Sequence, residues 1–260
     1  MKIIKPSFII EDVVDGDEIL KNLEKYGRTC YKSEGLSHGK KFVIELAGKE
    51  IEINAWECAT VVNDYLVLSE KRKELLAKEI GFDYIPQVTV PLLRIIPASS
   101  KKFIQKIIES GHETILEHEK VTVRIICDRG VTHEIVRHRI ASYSQESTRY
   151  CNYSNEKFGG EITFIQPDFE LSSEDKELLK IIESHYLLRL KQGLSPQQTR
   201  YFLPNGLKTE IVMTMNLREW RHFFKLRCSP KAHPQMREIT IPLLEEFRKL
   251  IPVVFDDIAF

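Results

Sequence analysis

The chain carries no excess of charge of either sign, with 38 Lys and Arg against 38 Asp and Glu. Polynucleotides and anionic membranes draw on a large positive surface, so neither is expected as a partner, and any anionic ligand has to be small and locally bound. No run approaches the ~18 uninterrupted apolar residues of a membrane span, and the opening MKIIKPSFIIEDVVDGDEIL has no long apolar signal core. Cysteine is sparse and odd in number: Cys30, Cys58, Cys127, Cys151 and Cys228 contain no C-x-x-C pair. This excludes a disulfide framework or zinc knuckle as an expectation and fits a reducing, cytoplasmic setting. The phosphate loop G-x-x-x-x-G-K and the turn G-x-G-x-x-G are both missing, so a nucleotide would be held without a Rossmann crossover. Internal repeats and low-complexity tracts are absent too.

Zinc-protease spacing is also lacking. His112-Glu113 and His133-Glu134 begin like H-E-x-x-H, but the next histidines, His118 and His138, fall six and five residues on. Five helical steps of about 100° leave side chains about 140° apart, which does not suit chelation of one ion. No metal is expected.

What is present is a chain of 260 residues, read as a single domain over residues 1–260 with an inserted or divergent lobe at residues 41–98. Residues 2–15 read as extended, with Pro6 near the start, and residues 15–27 as a short helix ending at Gly27. KFVIELAGKEIEIN predicts a hairpin around Gly48, residues 56–81 a helix, and VTVPLLRIIPA a segment punctuated by Pro91 and Pro97. Ser99 or Ser100 can cap a helix whose stripe Phe103, Ile104, Ile107 and Ile108 stops at Gly111. VTVRIICD reads as a buried strand, residues 132–139 as a short helix, and IASYSQESTRY as a polar loop. An amphipathic helix is expected to end at Gly193; Ser195 and Gln198 form a capping box with Pro196 at the first helical position; LKTEIVMTMN is strand-like and LREWRHFFKLR helical. The mixture reads as α/β or α+β. Phe223-Phe224 and Tyr201-Phe202 are expected to be core.

The densest polar cluster is Arg137-His138-Arg139, followed by Ser147-Thr148-Arg149-Tyr150. Three arginines within thirteen residues need anionic partners, and the intervening Ser, Gln and Thr side chains can bind phosphate and a pyrimidine edge. On a continuous helix Glu134 would share a face with Arg137 and His138.

The run RHRIASYSQESTRY resembles the signature of the flavin-dependent thymidylate synthase family: R-H-R, seven residues, Ser, and an Arg two further on. GHETILEH at residues 111–118 resembles the family's G-H-E-x-x-x-E-H segment, TRYFLP its A-R-x-x-L-P element, and MNLREWRHFFKLR its late flavin-reaching helix. The resemblance covers residues 101–246 well and residues 1–33 weakly. It implies a central, mostly antiparallel sheet flanked by helices, not a Rossmann fold, and a homotetramer with FAD at subunit interfaces. FAD would be held by His112, Thr114, Glu117, Arg137, His138, Arg139, Ile140, Asn216, Arg218, His222, Leu226, Arg227 and His233. The substrate dUMP would be held by Glu134, Arg137, Gln145, Glu146, Ser147, Thr148, Arg149, Arg200 and Arg227. Glu134, Gln145 and His222 stand where some members carry Gln, Glu and Asn.

The implied reaction is reductive methylation of dUMP to dTMP, with methylenetetrahydrofolate as the folate co-substrate giving the carbon and NADPH supplying reducing power through FAD. Arg149 would polarise the pyrimidine carbonyls, Ser147 would hydrogen-bond the substrate, and His112 would orient the flavin or shuttle a proton. A related C5-methylase of UMP or another pyrimidine nucleotide is the alternative.

Overall fold

Where hydrophobic residues alternate, the backbone pairs; where they recur every three or four, it coils. In chain order the elements are β1 (Lys2–Ile4), β2 (Ser7–Ile10), α1 (Gly16–Tyr31), β3 (Lys41–Leu46), β4 (Lys49–Asn54), β5 (Thr60–Val62), β6 (Tyr65–Val67), α2 (Glu70–Ile80), β7 (Thr89–Ile96) and α3 (Ser99–Glu109). They continue as β8 (Lys120–Asp128), α4 (Arg129–Ile135), β9 (Ser142–Gln145), β10 (Thr163–Ile165), α5 (Ser173–Lys191), α6 (Pro196–Thr199), β11 (Lys208–Asn216), α7 (Leu217–Arg227) and α8 (Pro234–Leu250). The computed structural model describes every residue except 40, 47, 55–59, 63–64, 69, 82, 84–88 and 97. Cys58 and Pro97 therefore lie outside the described residues, as does Trp56. The chain divides into two compact units, Met1–Asp17 with Glu113–Phe260, and Glu18–His112.

The first unit is built on a four-stranded antiparallel sheet, β2-β8-β11-β9, beside the parallel pair β1-β10. β11 alternates strictly: Thr209, Ile211, Met213 and Met215 are buried while their neighbours are half-covered, and β8 buries Val121, Val123, Ile125 and Cys127 on the same face. That face packs beneath α7 and α8, where Trp220, Phe223, Phe224 and Phe247, joined by Phe255 just beyond α8, meet edge-to-face or tilted, with Trp220 stacked on Phe224. The indole Nε1 of Trp220 donates to the Val121 carbonyl at 3.0 Å. Each such fully buried side chain contributes roughly 1.5 to 3 kcal/mol, so this cluster anchors α7 to the sheet. Gly16 meets the Leu250 carbonyl so closely that any Cβ there would collide with it.

Both central strands hand over directly to a helix through an Asx cap. Asp128 Oδ1 accepts from the Val131 N–H at 2.8 Å to start α4, and Asn216 Oδ1 accepts from the Glu219 N–H at 2.8 Å to start α7. A second core of Tyr153, Ile162, Phe164, Tyr186 and Leu207 sits under α5.

The second unit carries a five-stranded antiparallel sheet, β4-β3-β7-β6-β5, whose core is Phe42, Ile44, Ile53, Leu68, Leu76 and Ala77.

Several sequence expectations need correction. α1 runs four residues past Gly27, which is buried inside the helix, and the Glu24–Arg28 ion pair at 2.7 Å spans that point. The helix expected over residues 56–81 is instead the β5–β6 hairpin followed by α2, because Thr-Val-Val and Tyr-Leu-Val are β-branched or aromatic segments that pair. Pro91 lies within β7, opposite Tyr65. Ala98 is the cap position of α3, and Ser99 instead spends its hydroxyl on Glu24 Oε2 at 2.8 Å. Residues 142–145 form the edge strand β9 where a loop is expected. α5 exposes Leu178, Ile181 and Leu188, so it is less amphipathic than its sequence suggests. Phe223 and Phe224 are core, but Tyr201 is 86% exposed. The helix α8, with Pro234 at its first position, has no counterpart in the sequence reading.

Candidate active site

α4 ends at Ile135, so Arg137, His138 and Arg139 lie in the turn beyond it and not on a continuing helix. Tyr143 of β9 holds that turn, its hydroxyl placed 2.9 Å from the Ile135 carbonyl and 2.7 Å from the His138 carbonyl. Burial pushes the phenol up to about 12, so it stays a donor at neutral pH. Against this turn lies one face of α7, from Glu219 to Arg227.

The two elements meet through a chain of polar contacts. His138 is 5% exposed, with Nδ1 3.2 Å from Glu219 Oε1 and Nε2 3.0 Å from Arg227 Nε. Arg227 also donates from Nη1 to Glu134 Oε2 at 2.7 Å and from Nη2 to the Glu134 carbonyl at 2.9 Å. Burial, then the neighbouring Arg227, His222 and Arg137, hold the His138 imidazole down to about 4. The imidazole is therefore neutral at pH 7, and its contact with Glu219 is a hydrogen bond and not an ion pair. Burial raises the Glu219 carboxyl from its ordinary range.

These groups line a cavity of about 820 Å³ that also takes in Arg139, Ile140, His222, Leu226 and His233. Five cationic side chains, Arg137, Arg139, Lys225, Arg227 and Lys231, face two carboxylates, Glu134 and Glu219. The N-terminal end of α8 follows directly from His233 and adds its positive dipole end. A second cavity of about 500 Å³ shares Ile140, Glu219, His222 and Lys225 and adds Glu117, Asn216 and Arg218. Arg218 Nη1 and Glu117 Oε1 pair at 2.5 Å across it. Thus all the residues expected at the flavin, except His112 and Thr114, border two adjoining cavities of the first unit. Thr114 lies in the 3-10 turn Glu113–His118, and His112 is the last residue of the second unit.

The residues expected at the nucleotide divide. Glu134, Arg137 and Arg227 are in the cationic cavity. Gln145 turns inward, its amide nitrogen 3.0 Å from Thr132 Oγ1 and 3.3 Å from Thr209 Oγ1. Glu146 accepts from the Tyr153 hydroxyl at 2.7 Å and from Lys208 Nζ at 3.0 Å in a separate cavity of about 540 Å³. Thr148 is buried, whereas Arg149 and Arg200 are exposed. Arg149 Nε donates to Gln197 Oε1 of α6 at 2.6 Å, and its own N–H lies 3.3 Å from Ser147 Oγ.

Sequence reasoning missed Glu219. The signal available was its i, i+3 spacing to His222 on an expected helix. Among the described residues His138, Glu219 and His222 place potential ligand atoms within 4.8 Å of one another. Both ring nitrogens of His138 are already engaged, however, and the surrounding cations oppose a metal ion.

The fold and this site define an α+β protein with a cation-lined cavity suited to an anionic ligand. A model of the family described as thymidylate synthase complementing protein matches residues 13–253, and the chain belongs to that family. Relatives similar to it include proteins named flavin-dependent thymidylate synthase from Pyrococcus furiosus, 40% identical over 162 residues, and from Pyrococcus horikoshii, 43% identical over 164. In both, the matched stretch spans 60% of this chain and 66% of the relative. Among solved structures, a thymidylate synthase X from Helicobacter pylori with FAD and dUMP superposes with a TM-score of 0.62 at 19% identity, covering 97% of this chain and 98% of that one. A UMP/dUMP methylase from Streptomyces cacaoi bound with 5-Br UMP gives 0.62 at 15% identity, covering 98% and 95%. These two likenesses show the shared fold.

Proposed function

We propose that the protein is a flavin-dependent thymidylate synthase converting dUMP to dTMP with methylenetetrahydrofolate, FAD and NADPH. The observation that carries the reading is the convergence of Arg137, His138, Arg139, Ile140, His222, Leu226, Arg227 and His233 on one cationic cavity, in a chain of this family.

The residues present fit FAD. Five cations and the α8 N-terminus suit a diphosphate, and the exposed apolar side chains Ile140 and Leu226 offer surface for a planar ring. Arg137, Arg139, Asn216, Arg218, His222 and His233 would hold it, with His112, Thr114 and Glu117. When bound and reduced by NADPH, FAD would supply the hydride that completes the methyl group. The protein's own part is electrostatic. Arg227, fixed by Glu134 and His138, keeps two N–H bonds for a phosphate or carbonyl oxygen. Arg149 and Arg200 add forks of the same kind, Arg149 polarising the pyrimidine carbonyls so that carbon 5 becomes electron-rich, while Ser147 hydrogen-bonds the substrate.

The split nucleotide set supports an assembly. Arg149 and Arg200 lie on an exposed patch with Tyr150 (72% exposed) and Tyr201, away from the cavity lining of their own chain. In a homotetramer such a patch would complete the cavity of another copy. The residues 41–98 would be an elaboration of the second unit. No helix among the described residues is long and apolar enough to cross a membrane; a cytoplasmic setting rests on the odd cysteine count without a C-x-x-C pair. The test is to incubate the FAD-loaded protein with NADPH, methylenetetrahydrofolate and either dUMP or UMP. dTMP should form from dUMP; product from UMP alone would transfer the assignment to a ribonucleotide methylase.

A further inference from the structure

The contact network singles out a residue to which neither the family resemblance nor the sequence cluster assigns a role. Glu219 is 8% exposed, and its backbone N–H is tied down by Asn216 at the first turn of α7. Its carboxylate faces one nitrogen of a buried imidazole whose other nitrogen faces a guanidinium. An arginine Nε–H can only donate, so His138 Nε2 must be a bare acceptor. A neutral imidazole carries one proton, which then sits on Nδ1 and is donated to Glu219. The opposite tautomer would set Nε2–H against Nε–H and a nitrogen lone pair against a carboxylate, two repulsive contacts in a buried place.

We propose that Glu219 is a positioning residue: by fixing His138 in the Nδ1–H tautomer it makes the imidazole an acceptor that orients Arg227 for the anionic ligand. Three of the five guanidinium N–H bonds of Arg227 go to His138 and Glu134. The remaining two, one on each terminal nitrogen, lie in the guanidinium plane, whose orientation is set by those three contacts. Without Glu219 the imidazole can turn its proton to Nε2, and the Arg227 side chain loses one of its fixed points. The effect on the nucleotide rests on the functional reading given above; the effect on the tautomer does not.

The experiment uses FAD-loaded protein labelled with ¹⁵N-histidine, in the wild type and in Glu219→Gln, Glu219→Leu, His138→Asn and the double variant Glu219→Leu/His138→Asn. Nitrogen chemical shifts should report the Nδ1–H tautomer in the wild type and in Glu219→Gln, whose amide oxygen still accepts, and a shift toward Nε2–H in Glu219→Leu. Flavin-absorbance titration with dUMP should give about tenfold weaker binding in Glu219→Leu and within about threefold of wild type in Glu219→Gln. The double variant should be no weaker than the worse single one, because the two act in series. An unchanged tautomer in Glu219→Leu overturns the proposal, as do additive losses in the double variant or equal losses in Gln and Leu. If the wild type binds no dUMP while the tautomer shifts as described, the functional reading fails and the role of Glu219 in setting His138 stands.

Discussion

Arg227→Lys keeps the charge and removes the geometry, and so isolates what the guanidinium contributes. Arginine makes three directed contacts here, at 3.0 Å to His138 Nε2, 2.7 Å to Glu134 Oε2 and 2.9 Å to the Glu134 carbonyl. A lysine ammonium, on a shorter stem without a planar fork, can keep at most one of them together with a ligand contact. Hydrogen bonds to charged groups contribute about 1.5–3 kcal/mol each, but the Glu134 side chain is 31% exposed and water replaces part of the loss. A net destabilisation of about 1–2 kcal/mol follows, which for a chain of this length corresponds to about 2–8 °C in Tm. The ligand suffers more, since the two free N–H bonds vanish together: dUMP affinity should fall about ten- to hundredfold. Thermal unfolding of the apoprotein and a dUMP titration of the FAD-loaded protein measure the two effects separately. A lysine variant with unchanged melting temperature and unchanged dUMP affinity would refute the reasoning.

Arg149→Lys and Arg200→Ala should keep the flavin spectrum while dUMP binding weakens about ten- to hundredfold, with Arg149→Lys also losing turnover; loss of FAD with intact dUMP binding contradicts the division of the site. No cysteine should be a nucleophile: Cys127 and Cys228 are buried, and burial raises the thiols of both and of Cys151, so replacing Cys151 by Ser should leave dTMP formation measurable in an end-point assay. His138 titrates lower in the folded chain, at about 4 instead of 6.5, so its contribution is fully present above pH 6.5 and is lost as pH falls toward 4. The loss is on the order of 3 kcal/mol, partly offset by Glu219, whose raised carboxyl acts in the opposite sense. Denaturant midpoints of wild type should therefore drop more steeply between pH 6.5 and 4 than those of His138→Asn, and identical profiles would contradict this.

Local patterns carried much of the fold. The alternation in β8 and β11, the Gly48 turn of the β3–β4 hairpin, the capping box at Ser195 and the helix α7 were all legible because each is decided by residues close in sequence. The misreadings have tertiary causes. Glu24 recruits the Ser99 hydroxyl from 75 residues away, so a good capping side chain is used elsewhere. Residues 142–145 are polar yet become a strand because β11 offers an edge to pair with. Within the candidate site the cationic cavity follows the arginine cluster, but Glu219 was invisible: its importance comes from meeting His138 across 81 positions of sequence. The inward turn of Gln145 onto Thr132 and Thr209 is likewise a product of packing between α4 and β11.

The proposed function requires the Arg137–Arg227 cavity to hold a flavin beside a uracil nucleotide. The most direct measurement is the absorbance spectrum of the purified protein after equilibration with FAD and removal of excess, recorded before and after addition of dUMP. A retained flavin band that dUMP perturbs saturably in the wild type, and that is weakened or lost in Arg137→Ala, is the predicted result. Protein that retains no FAD, or a flavin spectrum unmoved by dUMP, would contradict it.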